Sequence, residues 1–248
     1  MMIELTSRKN PMVQQVRRLL TSRKERQQSG LFVAEGTKLF AEAARFWPGL
    51  CQVFHTPDVV LDIPQGVQAT VVSEELMAYM SAMESPQGAL FLCRLPEKKP
   101  LQVKPGMLLL DGIQDPGNLG TILRTADAFC VPVVLLEGCA DPYSHKVVRA
   151  SMGSVFRTVP QVASWEQVKE KCQKLEISIG VTALATDARD IRETALSQMA
   201  VVIGSEGQGV RREILQVADK KLIIPMSENC ESLNAAVASA IVLWQMKG

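Results

Sequence analysis

The sequence has no paired cysteines, almost no histidine and no long apolar run. Cys51, Cys93, Cys130, Cys139, Cys172 and Cys230 include no C-x-x-C pair, and with only His55 and His145 beside them no zinc-ligand spacing appears. No metal is expected, and the thiols read as buried and reduced, as in a cytoplasmic protein. Residues 233–246 are the longest weakly polar stretch. They are too few to span a bilayer and contain Asn234 and Gln245. Met1 to Leu5 lacks a basic region followed by an apolar one, so it does not read as a signal peptide. There is no internal repeat and no low-complexity segment. What is there is an ordinary globular composition, 47% apolar and 21% charged over 248 residues, enough for one large domain or two small ones.

A net charge of +1 excludes a polycation, but the charge is unevenly spread. Residues 1–26 hold Arg8, Lys9, Arg17, Arg18, Arg23, Lys24 and Arg26 against Glu4 and Glu25, a surplus of five positive charges. The remainder is therefore acidic by four. A basic block on a near-neutral protein fits a phosphate-binding surface and equally a solvated helix face, and charge alone leaves both open.

Periodicity predicts an α/β protein. Thr6 or Ser7 caps a predicted helix over about 10–28, with Val13, Val16, Leu19 and Leu20 as its apolar stripe and the arginines opposite. Strands at 31–34, 51–54, 68–72 and 88–95 alternate with helices at 38–46 and 74–83, the second capped by Ser73. This is a small α/β domain, ending in a charged, proline-bounded stretch at 96–100. The expected division is 1–96, a linker at 97–104, and 105–248.

In the second part a strand at 107–110 runs into a loop dense in turn formers, Asp111 to Asn118. Asn118 is the expected N-cap of a helix over 119–129. Strands are expected at 133–136, 156–159 and 177–183, with a helix at 165–175 and a polar, partly helical segment at 141–154. The runs 200–203 and 221–224 read as buried parallel strands closing the sheet. The last helix starts near Ser232 and is apolar on nearly every side through Leu233, Ala236, Val237, Ala240, Ile241 and Trp244. Such a helix must be covered on more than one face, which points to a second subunit as well as the sheet.

Two strands therefore end in glycine- or proline-containing loops, Gly204-Ser205-Glu206-Gly207-Gln208-Gly209 and Ile224-Pro225-Met226, the second leading to Ser232-Leu233-Asn234. Open α/β sheets bind ligands at the carboxyl ends of their strands. The first loop is neither G-x-G-x-x-G nor a phosphate-binding loop ending in G-K-[ST], and Ser205 is not in a G-x-S-x-G context. Dinucleotide binding, nucleotide hydrolysis and serine hydrolysis each lose their signature. A tight turn accounts for Gly207 and Gly209 but not for Glu206, an acid held between glycines. Helix capping accounts for Asn118 and Ser232 taken singly, and a pair with Asp127 accounts for Arg124. Their joint occurrence at the loops of one sheet is the stronger signal.

Asn118-x-Gly120-x-x-x-Arg124, Gly204-Ser205-Glu206-Gly207-x-Gly209 and Ile224-Pro225-Met226 with Ser232-Leu233-Asn234 resemble, in order, the three motifs of the SpoU (TrmH-like) branch of the SPOUT RNA methyltransferases. The resemblance spans about residues 105–248. Less specifically, Thr6-Ser7-Arg8-Lys9-Asn10-Pro11 and Phe32-x-x-Glu35-Gly36 resemble the L30e-like substrate-binding domain of members acting on ribosomal RNA. The resemblance implies a parallel-sheet domain tied into a deep trefoil knot, a homodimer, and methyl transfer from S-adenosylmethionine to a ribose 2′-oxygen, in 23S ribosomal RNA before other RNAs. It implies cofactor contacts by Gly204, Ile224, Met226 and Leu233, and a catalytic shell of Asn118, Arg124, Glu206, Ser232 and Asn234. Family accounts make the arginine the base. A guanidinium is protonated in proteins, so a role in binding the target phosphate and stabilising alkoxide character is favoured and the base stays open. Arg8, Lys9, Arg17 and Arg18 are the expected RNA contacts in the basic block. Arg149, in a family-like segment, fits an RNA contact or a surface ion pair. A transfer-RNA methyltransferase, a methyltransferase on a non-RNA substrate and a non-catalytic RNA-binding dimer are the competing readings.

Overall fold

The structure, a computed structural model, describes residues 3–5, 7–227, 229–230 and 232–247. Thr6, one of the two expected helix caps, lies outside the described residues. The chain divides into two compact units. The first comprises residues 1–98 with 141–157, the second 99–140 with 158–248. The polar segment that the sequence places in the second half thus packs with the first.

The first unit starts with β1 (Ile3–Leu5), α1 (Pro11–Thr21) and α2 (Arg23–Ser29). Periodicity alone predicts one long helix here. Asn10 caps α1 through its side chain, which accepts from the Met12 amide at 2.9 Å. Ser22 then adopts an extended conformation, and its hydroxyl accepts from the Glu25 amide at 3.2 Å to start α2. A serine that caps well is also a residue that interrupts. The chain continues through β2 (Leu31–Glu35), α3 (Thr37–Phe46), β3 (Leu50–His55), β4 (Gln68–Val72), α4 (Glu74–Met80) and β5 (Ala89–Arg94). α4 is shorter than its pattern suggests because Ser81 leaves the helix and donates its hydroxyl to Glu35. The sheet order is β1-β4-β3-β5-β2, with β5 antiparallel to both neighbours and the other pairs parallel. The α1 stripe of Val13, Val16, Leu19 and Leu20 packs with Phe54, Leu76 and Met77 in one core.

The second unit opens with β6 (Met107–Asp111), α5 (Pro116–Ala128) and β7 (Val133–Leu135). The chain then crosses to the first unit for α6 (His145–Ala150) and α7 (Ser154–Arg157). Arg26, Asp141 and His145 anchor this crossing segment. The Arg26 side chain is 5% exposed, pairs with Asp141 at 2.7 Å and donates to the Leu19 carbonyl, and His145 Nδ1 lies 3.1 Å from the Leu20 carbonyl. Arg26 is therefore used inside the unit, not on a basic surface. Phe156 lies in α7, where the sequence predicts a strand, because its ring joins an aromatic cluster with Phe32, Trp47 and Phe91.

Back in the second unit come β8 (Gln161–Val162), α8 (Trp165–Lys174), β9 (Ser178–Thr182), β10 (Arg189–Asp190), β11 (Met199–Gly204), α9 (Arg212–Leu215), β12 (Lys220–Ile223) and α10 (Ala235–Lys247). The sheet order is β10-β12-β9-β11-β6-β7-β8, and every pairing is parallel. β11 and β12 do not close this sheet. β11 lies between β9 and β6, and β12 between β9 and β10. The near-continuous apolar runs of β6 and β11, buried along nearly their whole length, suit strands covered on both faces. The expectation of uniformly buried thiols also fails, since Cys130 and Cys230 are exposed and Cys51 is half-buried.

Candidate functional site

Because all seven strands run the same way, β6, β11 and β12 deliver their loops to one edge of the sheet. α5 begins with Asp115-Pro116-Gly117-Asn118. Asp115, not Asn118, is its N-cap. Asp115 Oδ1 accepts from the Asn118 amide at 2.7 Å, and Pro116 takes a first-turn position where its missing amide hydrogen costs nothing. The Asn118 side chain is thereby released from capping. Its Nδ2 donates to Glu206 Oε1, and its Oδ1 accepts from Asn234 Nδ2 at 3.0 Å.

The loop after β11 folds back on its own backbone. A Cβ at Gly204 would collide with the Gly209 carbonyl and the Val210 nitrogen, so only glycine fits. The Gly209 amide donates to the Ser205 carbonyl at 2.9 Å, and Gly209 itself has a φ of +64°. Glu206 stands on this turn. Its Oε1 accepts from Asn118 Nδ2, from Asn234 Nδ2 at 3.4 Å and from the Ala235 amide at 3.2 Å. Ala235 is the first residue of α10, so the carboxylate faces a positive helix end. The sequence points to Ser232 as the cap there. Instead Asn234 Oδ1 accepts from the amides of Ala236 at 2.9 Å and Val237 at 3.3 Å, while Ser232 is exposed.

Asn118, Glu206 and Asn234, one from each motif, thus form a single hydrogen-bonded cluster. Arg124 does not join it. It lies on the exposed flank of α5 and, among the described residues, has no hydrogen bond or ion pair. Gly204 ends β11, Ile224 and Met226 follow the end of β12, and Leu233 precedes α10; all three apolar side chains are half-buried.

Sequence reasoning missed a second cluster beneath the loop. Asp111, at the end of β6, is 1% exposed. Its Oδ2 accepts from the Arg211 amide at 2.8 Å and its Oδ1 from Arg211 Nε at 2.7 Å. The same guanidinium reaches Glu137 at 2.9 Å and Glu213 at 3.0 Å. Burial opposes ionisation of Glu137, but hydrogen bonds from its own amide, from Arg211 and from Trp165 outweigh it and hold the carboxyl below its ordinary range. The available signal is an aspartate between Leu110 and Ile113 at a strand end, since a buried carboxylate needs a cation.

In the first unit, Arg8 and Arg17 lie over the ring of Tyr79, with guanidinium carbons 5.0 and 4.5 Å from its centroid. Arg8 also pairs with Glu75 at 2.5 Å, Arg17 donates to the Tyr79 carbonyl, and Arg18 is 3.5 Å from Glu25. Lys9 and Arg149 are exposed. Glu35, of the Phe-x-x-Glu-Gly stretch, accepts from the Ser81 hydroxyl and the Ala82 amide; burial nevertheless raises its carboxyl above the ordinary value. Among the described residues no group of His, Cys, Asp and Glu could hold a metal ion, and no helix is long and apolar enough to cross a membrane.

Residues 105–244 match the model of the SpoU rRNA Methylase family, more than half of the chain, and residues 10–90 match the MRM3-like substrate binding domain. The chain belongs to the SpoU rRNA methylase family. It is 33% identical over 251 aligned positions, covering 100% of this chain and 100% of that one, to the 23S rRNA (guanosine(2553)-2'-O)-methyltransferase RlmP of Bacillus subtilis. Among solved structures it is similar to a putative RNA methyltransferase of the TrmH family from Porphyromonas gingivalis, with 31% identity and a TM-score of 0.87, covering 96% of this chain and 97% of that one. It is also similar to the AdoMet-bound rRNA methyltransferase of Sinorhizobium meliloti, with 29% identity and a TM-score of 0.84, covering 98% and 96%. The three loops at the sheet edge, with the cluster of Asn118, Glu206 and Asn234, all lie within the region that matches the SpoU family.

Proposed function

We propose that this chain methylates a ribose 2′-hydroxyl of ribosomal RNA and that the cluster of Asn118, Glu206 and Asn234 organises the site. The observation that carries the reading is the meeting of these three side chains, one from each motif: Asn118 and Asn234 both donate to Glu206 Oε1, and Asn234 also donates to Asn118 Oδ1. The chain is an RNA ribose 2′-O-methyltransferase that uses S-adenosylmethionine. That cofactor supplies an activated methyl on a sulfonium, so the protein's task is placement. Good placement contributes about 7–11 kcal/mol to lowering such a barrier.

The residues present fit the cofactor. Ile224, Met226 and Leu233 offer half-buried apolar surface for an adenine, and Ile224 to Met226 lie just beyond the end of the β12 ladder, where backbone groups would meet its polar edge. Gly204 lets the loop return against the strand end, where a Cβ would strike the backbone of Gly209 and Val210. Glu206, fixed by three donors, sets where the β11 loop meets the start of α10. Arg124, exposed and unpaired among the described residues, is available to the target phosphate. There its guanidinium stabilises alkoxide character at the ribose oxygen. Ser232, two residues before Asn234 on the same loop, completes the proposed shell.

RNA backbone contacts fall to Arg8, Lys9, Arg17 and Arg18 in the first unit, with Arg149 on α6; such contacts position the RNA without reading its sequence. The homodimer is part of the proposal. Val237, Ile241 and Trp244 form an exposed stripe at helical spacing on α10. Trp244 is 68% exposed even though its ring packs edge-on to Phe129 at 5.9 Å. These side chains and Asn118 line a shallow recess of about 640 Å³. The trefoil knot and a cytoplasmic location complete the reading; supporting the former, α10 follows β12 in the chain yet packs on α5 and β11. The test is transfer of labelled methyl to unmodified ribosomal and transfer RNA in parallel, with the product mapped to ribose. Label on the 2′-oxygen of ribosomal RNA is expected. Label confined to transfer RNA would contradict the substrate, and a labelled base would contradict the chemistry.

A further inference from the structure

We propose that Asp111 and Arg211 are positioning residues that hold Glu206 in its working place. The inference rests on the reading of Glu206 as part of the methyl-transfer site. Asp111 touches both ends of the glycine loop. Its backbone pairs with Gly204 in the β6–β11 ladder, and its carboxylate grips the amide and Nε of Arg211 at the far end. Between these two fixed points the chain makes its tight return, closed by the Gly209 to Ser205 hydrogen bond. Among the described residues the Glu206 carboxylate bonds only outward, to Asn118, Asn234 and Ala235. Those three donors all lie outside the loop, so how the loop is seated sets where Glu206 meets them. The seat is Asp111 with Arg211, and Glu137 and Glu213 hold the other guanidinium nitrogens so that the fork keeps one orientation.

The experiment is a double-mutant cycle in the full-length protein, with single-turnover methyl transfer and the KM for S-adenosylmethionine measured beside the melting temperature. Arg211→Ala is expected to lower turnover about a hundredfold, the scale of a small misplacement at a distance. Glu206→Ala is expected to lose as much or more. The double variant should be no slower than Glu206→Ala alone, because residues that act through one another do not add. Should Arg211→Ala fail to fold, Arg211→Lys, which keeps the charge and loses the fork, enters the same cycle. Independent, multiplying losses would overturn the inference, as would a folded Arg211 variant with wild-type turnover. A purely structural ion pair would lower the melting temperature and leave turnover per folded molecule unchanged, which also contradicts it. A fully active Glu206→Ala enzyme would remove the underlying site reading instead.

Discussion

The loop cluster of the second unit and the arginines around Tyr79 in the first hold their side chains in opposite ways. At the sheet edge, short side chains are fixed by directional hydrogen bonds from several elements, as with Glu206 accepting from α5, the α10 cap and the Ala235 amide. In the first unit, long side chains lie over an aromatic ring or beside an exposed carboxylate, as with Arg8 and Arg17 around Tyr79. The first arrangement fixes position and fails abruptly. The second supplies charge and fails gradually, since surface ion pairs contribute little individually and are screened by salt.

Arg124→Ala should break the comparison hardest. Loss of a transition-state donor, the role proposed for Arg124, costs about 10²- to 10³-fold, and this exposed residue should leave the melting temperature in place, as a thermal melt beside the turnover assay would show. Asn234→Ala comes next, because it removes both a helix cap and a partner of Glu206 and Asn118. A stability loss of about 1 kcal/mol from the cap should accompany reduced turnover in a denaturant titration and rate measurement on one sample. Trp244→Asp should shift the sedimentation velocity to that of a monomer if the exposed stripe is the dimer face; an unchanged oligomer would place the interface elsewhere.

In the first unit, deleting residues 1–26 would be a poor probe, because Val13, Val16 and Leu19 belong to the core. Arg8→Ala with Arg17→Ala is the cleaner change. RNA affinity should fall, and the slope of log K against log salt should flatten by roughly 0.7–0.9 for each phosphate that is no longer neutralised. The smallest effect concerns Glu35. Burial raises its carboxyl, against hydrogen bonds from Ser81 and Ala82 and the charge of Arg149. A raised acid favours the folded state when protonated, so this contribution is present at low pH and is lost as pH rises through the folded value. The melting temperature of Glu35→Gln relative to the parent should therefore be higher at about pH 8 than at about pH 5.

The α/β alternation, the parallel second sheet and the loops at its edge were legible because apolar runs and glycine or proline punctuation are local signals. What was not legible depended on competition or on distance. Asp115 and Asn118 both suit a helix cap, and only the proline between them, preferring the first turn, decides for Asp115. Ser22 splits a helix whose stripe reads through it. Residues 141–157 look like part of the second unit until Arg26 and the Phe32 ring claim them for the first. Asp111 and Arg211 are a hundred residues apart, and no periodicity links them.

The most direct test of the account is the single-turnover rate of Glu206→Gln on ribosomal RNA, with S-adenosylmethionine binding measured on the same preparation. The substitution keeps the shape and removes the charge on which Asn118, Asn234 and the α10 amide converge. A folded protein slowed by about a hundredfold or more is the predicted result. A rate within about twofold of the parent, equivalent to less than about 0.5 kcal/mol, would contradict the claim that the three loops work through this carboxylate.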